Sequence, residues 1–302
     1  MTRIATIPLQ HVMAGGITHA QELLQTSQTQ LATRKKAPDF ASLGTNGVRN
    51  LSAHSLQAQQ TAYAGAATNV ATTLSLYDVN INAIDTAASS LRTQIFTAVG
   101  TGQTPGLDAS FKIAFDQVRA SLNASVDGVP LFSGAQTGLD PLQPATFSAM
   151  AGLDPAATFA NDDVRSVARV GDSVDIQYGI TASDVGTKLL AAFRTLADAG
   201  PIGDSPTDVQ KAALTKALGQ LDVGLTQVRS VNADNGRRQA QVETQATRAS
   251  ERGDILSSLI SASEDADLGQ IAIDIAQNKS VLQASYSVFS QLAGLNLGAY
   301  LK

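Results

Sequence analysis

The chain has 302 residues, 43% of them hydrophobic, with a formal net charge of −5 and an isoelectric point near 5.1. That length permits one large domain or two to three smaller ones with sizeable cores, while the acidic balance leaves no electrostatic footprint for nucleic acid. Cysteine is absent, which excludes disulfides and thiolate chemistry, and aromatics at 5% without tryptophan leave the cores to Ala, Leu, Val and Ile, a composition suited to long helices packed side by side.

From Ile4 to Gln21 there is no Asp, Glu, Lys or Arg, and Ile4, Ile7, Val12, Ile17 and Leu24 recur at about helical intervals, interrupted by Pro8 and Gly15-Gly16. The segment lacks the continuous apolar core and cleavage site of a secretory signal, so a retained N-terminal helix is expected. Arg34-Lys35-Lys36, with Pro38 close behind, reads as the charge-complemented end of that helix and its stop. A heptad register follows through Leu56, Tyr63, Ala67, Val70, Leu74, Tyr77, Ile81, Ile84, Ala88, Leu91 and Ile95. The turn-rich stretch Gly100 to Gly106 separates it from a third helix containing Phe111, Phe115, Val118 and Leu122.

Glycine and proline then recur from Gly134 to Pro155. Val174, Ile176 and Tyr178 alternate with Asp175 and Gln177, the pattern of a strand with one buried face, and Val164, Val167 and Val170 suggest a second strand. Helical spacing returns between Val185 and Ala199 through Leu189, Leu190, Phe193 and Leu196. Ser205-Pro206, with Asp208 behind them, open a return helix. Its seam runs Leu214, Leu218, Leu221, Leu225, Val228, Asn232, Asn235, Gln239, Val242, Ala246, Ala249, Gly253, Leu256 and Ile260. The three polar positions in mid-seam are expected to fix register. Leu268 lies eight positions beyond Ile260 rather than seven, so Ser261 to Asp267 marks a phase break and a boundary.

The last stretch, Ser280 to Leu301, again has no Asp, Glu, Lys or Arg. Leu282, Tyr286, Phe289, Leu292 and Leu295 form one stripe, preceded by Leu268, Ile271 and Ile275. Ser280, Gln283, Ser285 and Ser287 would carry unpartnered polar groups into hydrocarbon, which argues against a membrane span. A solvated helix face usually carries charge, so a neutral polar face points to a surface that meets another protein. His11, His19 and His54 fall in no metal-ligand cluster, and no phosphate loop, nucleophile elbow or carboxylate pair stands out. Glu264, Asp265 and Asp267 lack the spacing of a calcium loop. Neither an enzyme nor a cofactor or metal is expected.

The order of apolar N-terminal helix, basic turn, long heptad helix, second helix, insert, long return helix and apolar C-terminal helix resembles the bacterial flagellin superfamily. Gln30 to Lys36 looks like the turn after the first helix in that family, and Ser261 to Asp267 is similar to the acidic segment opening its terminal helix. Leu131-Phe132-Ser133-Gly134 and the ending Leu282 to Phe289, with Leu295-Asn296-Leu297, are most similar to the hook-filament junction proteins, also called hook-associated protein 3. A glycine usual before the basic pair is Arg34 here, and Ala37-Pro38-Asp39-Phe40 replaces the usual segment after it.

The resemblance implies a mainly α fold, a long antiparallel coiled-coil bundle with paired terminal helices and a small β-containing insert. The expected parts are a terminal helix over 1–38, bundle segments over 39–134 and 185–262, an insert over 135–184 and a second terminal helix over 263–302. The implied role is a structural one in the flagellum, joining the hook side to the filament, with a filament-forming flagellin subunit as the alternative. The implied partners are other copies in a ring, a hook-associated protein on the hook side, flagellin on the filament side and a cytoplasmic export chaperone; membrane insertion is not expected. The implied location is extracellular, reached through type III export without a cleaved signal. Ile4, Ile7, Val12, Leu24, Leu268, Ile271, Ile275, Leu282, Tyr286, Phe289, Leu292 and Leu295 are then the expected assembly residues. In the isolated chain these terminal helices are expected to be partly disordered, completing their folding on docking.

Overall fold

The computed structural model describes the backbone of residues 3–298 and the side chains of 11–291. Its helices are α1 (Arg3–Thr33), α2 (Thr45–Thr101), α3 (Leu107–Leu122), α4 (Ala182–Asp198), α5 (Asp208–Glu264) and α6 (Leu268–Gly298). Two antiparallel hairpins lie between α3 and α4: β1 (Ser125–Val126) with β2 (Val129–Pro130), and β3 (Ser166–Gly171) with β4 (Val174–Tyr178). The chain is mainly α with a small β-containing insert. It divides into two compact units, residues 60–250 and residues 1–59 with 251–302, so α2 and α5 contribute to both. This division falls inside the two longest helices, and not at the turns near residues 38 and 262 where the sequence suggests boundaries.

In the unit of residues 60–250, the seam residues Ala67, Val70, Leu74, Tyr77, Ile81, Ile84, Ala88, Leu91 and Ile95 of α2 are all buried, and Leu214, Leu221, Leu225, Val228 and Val242 of α5 are buried with them. Such a run of aliphatic side chains, each contributing about 1.5–3 kcal/mol when fully buried, is enough to hold two long helices together. The polar mid-seam residues are bonded to α2: Asn232 Nδ2 donates to Asn82 Oδ1 (3.0 Å), Asn235 Nδ2 to Leu74 O (2.8 Å) and Gln239 Nε2 to Ser75 Oγ (2.9 Å). Each bond exists at one register only. A shift of one heptad would strand all three amides.

Helix α5 begins two residues later than Pro206. Its cap is Thr207, whose Oγ1 accepts from Gln210 N (3.3 Å) while Gln210 Oε1 accepts from Thr207 N (3.0 Å), a reciprocal pair that satisfies two otherwise orphaned donors. Helix α4 starts in the same way, with Thr181 and Asp184. At Gly224 of α5 an added Cβ would stand 2.8 Å from the Leu189 Cα of α4, so these two backbones meet where there is no side chain to separate them.

After the two-residue β2 the chain forms a turn over Leu131 to Gly134, the stretch that carries the likeness to junction proteins. Phe132 leaves that turn for the core, where it meets Tyr77 edge-on at 5.0 Å, and Tyr77 Oη donates to the Leu131 carbonyl at 2.8 Å. Gly134 has φ 65°, and any Cβ there would collide with Asp162. The turn is thus a plug and its glycine a steric requirement. In the second hairpin Val170 and Ile176 face the core, whereas Val167, and Val164 ahead of the hairpin, are exposed.

Candidate assembly surface

In the other unit, α1 packs along α6. Both are unbroken helices of 31 residues, and α1 continues through Pro8 and Gly15-Gly16, where the sequence suggests an interruption. The glycines sit in mid-helix with open space around them, so neither is needed for a turn. Along α1 a line of buried and half-buried positions runs through Met13, Ile17, Ala20, Leu24 and Ser27, with half-buried Gln30 beyond it; along α6 one runs through Ile271, Ile275, Asn278, Leu282 and Ser285, with half-buried Asp274 beside Ile275. Steps alternating between three and four residues make these the two sides of a heptad seam. It is a thin seam, because Ala20, Ser27, Asn278 and Ser285 supply little apolar area.

The expected assembly residues separate into three groups. Leu24, Ile271, Ile275 and Leu282 turn inward as part of the seam. Val12, Leu268, Tyr286 and Phe289 remain exposed, with Tyr286 accepting a 2.6 Å hydrogen bond at its hydroxyl from Gln21 Nε2. The side chains of Ile4, Ile7, Leu292 and Leu295 lie outside the described residues. The stripe through Leu282, Tyr286 and Phe289 follows the bulkiest residues, but the packed register passes through Ser285. Continuing the heptad phase from Ile271 would have shown this. On the outer side, Leu23, Leu31, Ile273, Val281 and Val288 join the exposed apolar residues, and between Ser280 and Gln291 no side chain is charged. Among the described residues no helix is long and apolar enough to cross a membrane.

The two helices are tied at their base by a polar clasp. Arg34 takes the left-handed conformation, φ 58°, so that its carbonyl accepts from Ala266 N (3.0 Å) and Lys36 N, two residues on, donates to Glu264 O (2.7 Å). Lys35 and Asp265 thereby face each other as an antiparallel bridge. Lys35 Nζ donates to Asp265 Oδ1 (2.6 Å) and Glu264 Oε2 (3.4 Å), and Lys36 Nζ caps the end of α5 at the Ala262 carbonyl (2.6 Å). The hydrogen bond with Lys35 holds the Asp265 carboxyl below the usual carboxylate range, and the same bond, against a smaller opposing desolvation, pushes the Lys35 ammonium up. Glu264, buried at 8% exposure, also bonds His54 Nε2 of α2 at 2.7 Å. Ser263 Oγ reaches Asn50 Oδ1 of α2 at 2.7 Å. Helix α6 then starts from Asp267, whose Oδ1 accepts from Gly269 N and Gln270 N.

The clasp shows that the basic turn and the acidic segment, 230 positions apart in the chain between Lys35 and Asp265, are partners of one another. Glu264 and His54 are not distinguishable in the sequence, where one looks like part of a helix-opening acid cluster and the other is a histidine outside any metal-ligand cluster. A half-open pocket of about 140 Å³ lies beside the clasp, lined by Lys35, Ala37, Pro38, Phe40, Leu43 and Glu264 among others. Among the described residues no group of three or more His, Cys, Asp or Glu side chains is arranged to hold a metal ion.

No protein-family model and no curated protein matches the sequence. Solved structures do. A protein from Vibrio parahaemolyticus described as a flagellar hook-associated protein aligns with a TM-score of 0.61 at 18% identity, covering 72% of this chain and 97% of that one. FlgL of Bacillus cereus aligns with a TM-score of 0.55 at 13% identity, covering 70% of this chain and 98% of that one. At these identities the likeness is one of fold: this chain has the mainly α architecture of these two flagellar proteins, almost over their whole length.

Proposed function

We propose that the chain is a non-enzymatic structural subunit of the bacterial flagellum, acting at the junction between hook and filament. The observation that carries this reading is the pair α1 and α6, whose seam is thin and whose outer face combines exposed apolar side chains with uncharged Ser and Gln. A free soluble helix pair gains nothing from such a face. A subunit in a closed assembly does, because neighbours bury the apolar groups, satisfy the hydroxyls and amides, and meet no like-charge repulsion. The likeness of fold to two flagellar proteins supports the same reading.

On this reading the partners are further copies in a ring, a hook-associated protein on one side and flagellin on the other, with delivery by type III export and a chaperone holding the terminal helix before assembly. The thin seam suits such a route, since it leaves the terminal helices weakly held until neighbours complete their packing. Hydrogen exchange on the isolated chain is expected to show weak protection over residues 11–33 and 268–291 compared with residues 67–98; strong protection of the termini would sink this mechanism.

The test of the role is assembly. Purified chain mixed with hooks or filament fragments is expected to decorate ends in electron micrographs and to remain short-ranged when concentrated alone with precipitant. Long tubes of this chain alone would instead make it a filament subunit, and failure to bind either end would refute the junction reading.

A further inference from the structure

The second half of α5 carries two charged flanks of opposite sign, most of whose side chains have no ion partner among the described residues. With 3.6 residues per turn, Arg237, Arg238, Arg248 and Arg252 fall along one side of the buried seam formed by Asn235, Gln239, Val242, Ala246 and Ala249. Glu243, Glu251 and Asp254 fall along the other. Arg238 is half-buried and the other six are exposed. Among the described residues Arg237 is paired with Asp234, while Arg238, Arg248, Arg252, Glu243, Glu251 and Asp254 have no ion partner. Setting Asp234 against one of the four arginines leaves three unmatched positive charges facing three negative ones across the helix.

The surroundings sharpen the contrast. Helix α2 has no Asp, Glu, Lys or Arg between Arg49 and Asp78. In the β3–β4 hairpin, Arg169 and Asp175 bond each other and Asp172 bonds Tyr63. Local i,i+3 and i,i+4 pairing, the usual fate of charges on a solvated helix, is not used by these six side chains, although Arg248 and Glu251 have the spacing for it.

We infer that residues 237–254 of α5 form a lateral contact between copies of this chain, in which the acidic flank of one copy lies along the basic flank of the next. The occupant is a second copy because the two flanks match in number, in sign and in length, each extending over roughly 20 Å of helix. A surface that is complementary to another surface on the same molecule generates a heterologous, side-by-side contact, which closes into a ring or continues as a helix. The contact rests on the reading of the chain as an assembling subunit, but it uses a surface separate from α1 and α6.

Charge reversal tests it by sedimentation velocity at low and high salt. Wild-type chain is expected to self-associate at low ionic strength and to lose this above about 0.15 M salt, where charges more than 8 Å apart are screened. Glu243→Lys/Glu251→Lys/Asp254→Lys gives two positive flanks, and Arg237→Glu/Arg248→Glu/Arg252→Glu gives two negative ones. Each is expected to weaken association about tenfold or more, as three exposed pairs turned repulsive should. An equimolar mixture of the two variants, and a chain carrying all six changes, restores opposite flanks and is expected to recover association. Circular dichroism melts check that every variant is folded.

Wild-type chain that stays monomeric at the highest attainable concentration in low salt overturns the inference. So does association indifferent to the reversals, or failure of the mixture and the six-fold variant to recover. End-binding to hooks or filaments separates the two ideas. Variants that still decorate ends but show no flank-dependent association refute the lateral contact alone, whereas loss of end-binding in the folded wild-type chain refutes the junction role.

Discussion

Arg34 shows how one backbone angle sets the geometry of the clasp. A left-handed turn is what lets the Arg34 carbonyl and the Lys36 amide both point at the segment between α5 and α6. Glycine is the residue that adopts this angle freely, and a glycine is what the resembling family places there, whereas an L side chain is strained by about 1–2 kcal/mol. Arg34→Gly is expected to raise stability by about 0.5 kcal/mol, the relief of strain being partly offset by the entropy of the unfolded glycine; a thermal melt that falls would show the arginine side chain to hold the turn. The ion pair beside it sets the pH response. Asp265 has its carboxyl held low, so its contribution is present above its ordinary pKa near 3.9 and is lost as pH falls through the lower folded value. Lys35 is pushed up, so its contribution is complete below about 10.4 and is lost as pH rises through the higher folded value. Over pH 5–9 this pair should therefore contribute evenly; hydrogen exchange is expected to show terminal-helix protection falling below about pH 4, and Asp265→Asn should flatten that fall. An unchanged acid limb in that variant would assign the loss to other carboxylates.

At the level of elements, the long helices were legible and the joints were not. The α2 and α5 seams follow from apolar residues repeating every seven positions, a signal that integrates over many turns and tolerates errors at single residues. Leu56, at the start of the α2 register, is exposed all the same, and Ala53 is buried instead. The α5 start was misplaced because a Ser-Pro pair is a plainer signal than a Thr-x-x-Gln capping box two residues on, although only the latter satisfies backbone donors. The clasp was illegible because it joins segments from opposite ends of the chain, and no local pattern records that Lys35 will meet Asp265. In α1 and α6, periodicity identified the helices but not the inward side, since serine and asparagine occupy positions that bulk alone would give to Tyr286 and Phe289. Asn235 tests the reading of polar seam residues as register pins. It is fully buried, and its Oδ1 has no hydrogen-bond partner among the described residues. Asn235→Leu is expected to stabilise the folded chain by about 1 kcal/mol by removing an unsatisfied acceptor, while loosening the register defined by its bond to Leu74. Chemical melts read the first effect. Cysteine pairs placed one heptad out of step across α2 and α5, which crosslink only in the variant, would read the second, and a less stable variant would refute both.

For the whole molecule, the central question is whether the terminal pair is built to hold itself together or to be held by neighbours. Adjacent residues of α6 separate these possibilities. Leu282 lies in the seam against α1, at 7% exposure, and Val281 beside it is 46% exposed with Val288 two turns further along the same outer side. An aspartate at 282 buries a charge without a partner, so Leu282→Asp should separate α1 from α6 and cost about 3 kcal/mol or more of whatever stability the pair has. Val281→Asp/Val288→Asp adds two charges to a face already in water. Surface changes of this kind usually alter stability by no more than about 0.5 kcal/mol, so the isolated chain should keep its helix content and its melting profile. In an assembly the same two carboxylates would lie on an interface otherwise free of charge, unpaired and repeated in every copy around a ring, and end-binding should fall by tenfold or more. Circular dichroism on the free chain and counting of decorated filament ends in micrographs give the two readouts separately. Normal end-binding by Val281→Asp/Val288→Asp would show that this face stays in solvent, and the uncharged stripe from Ser280 to Gln291 would then need another explanation.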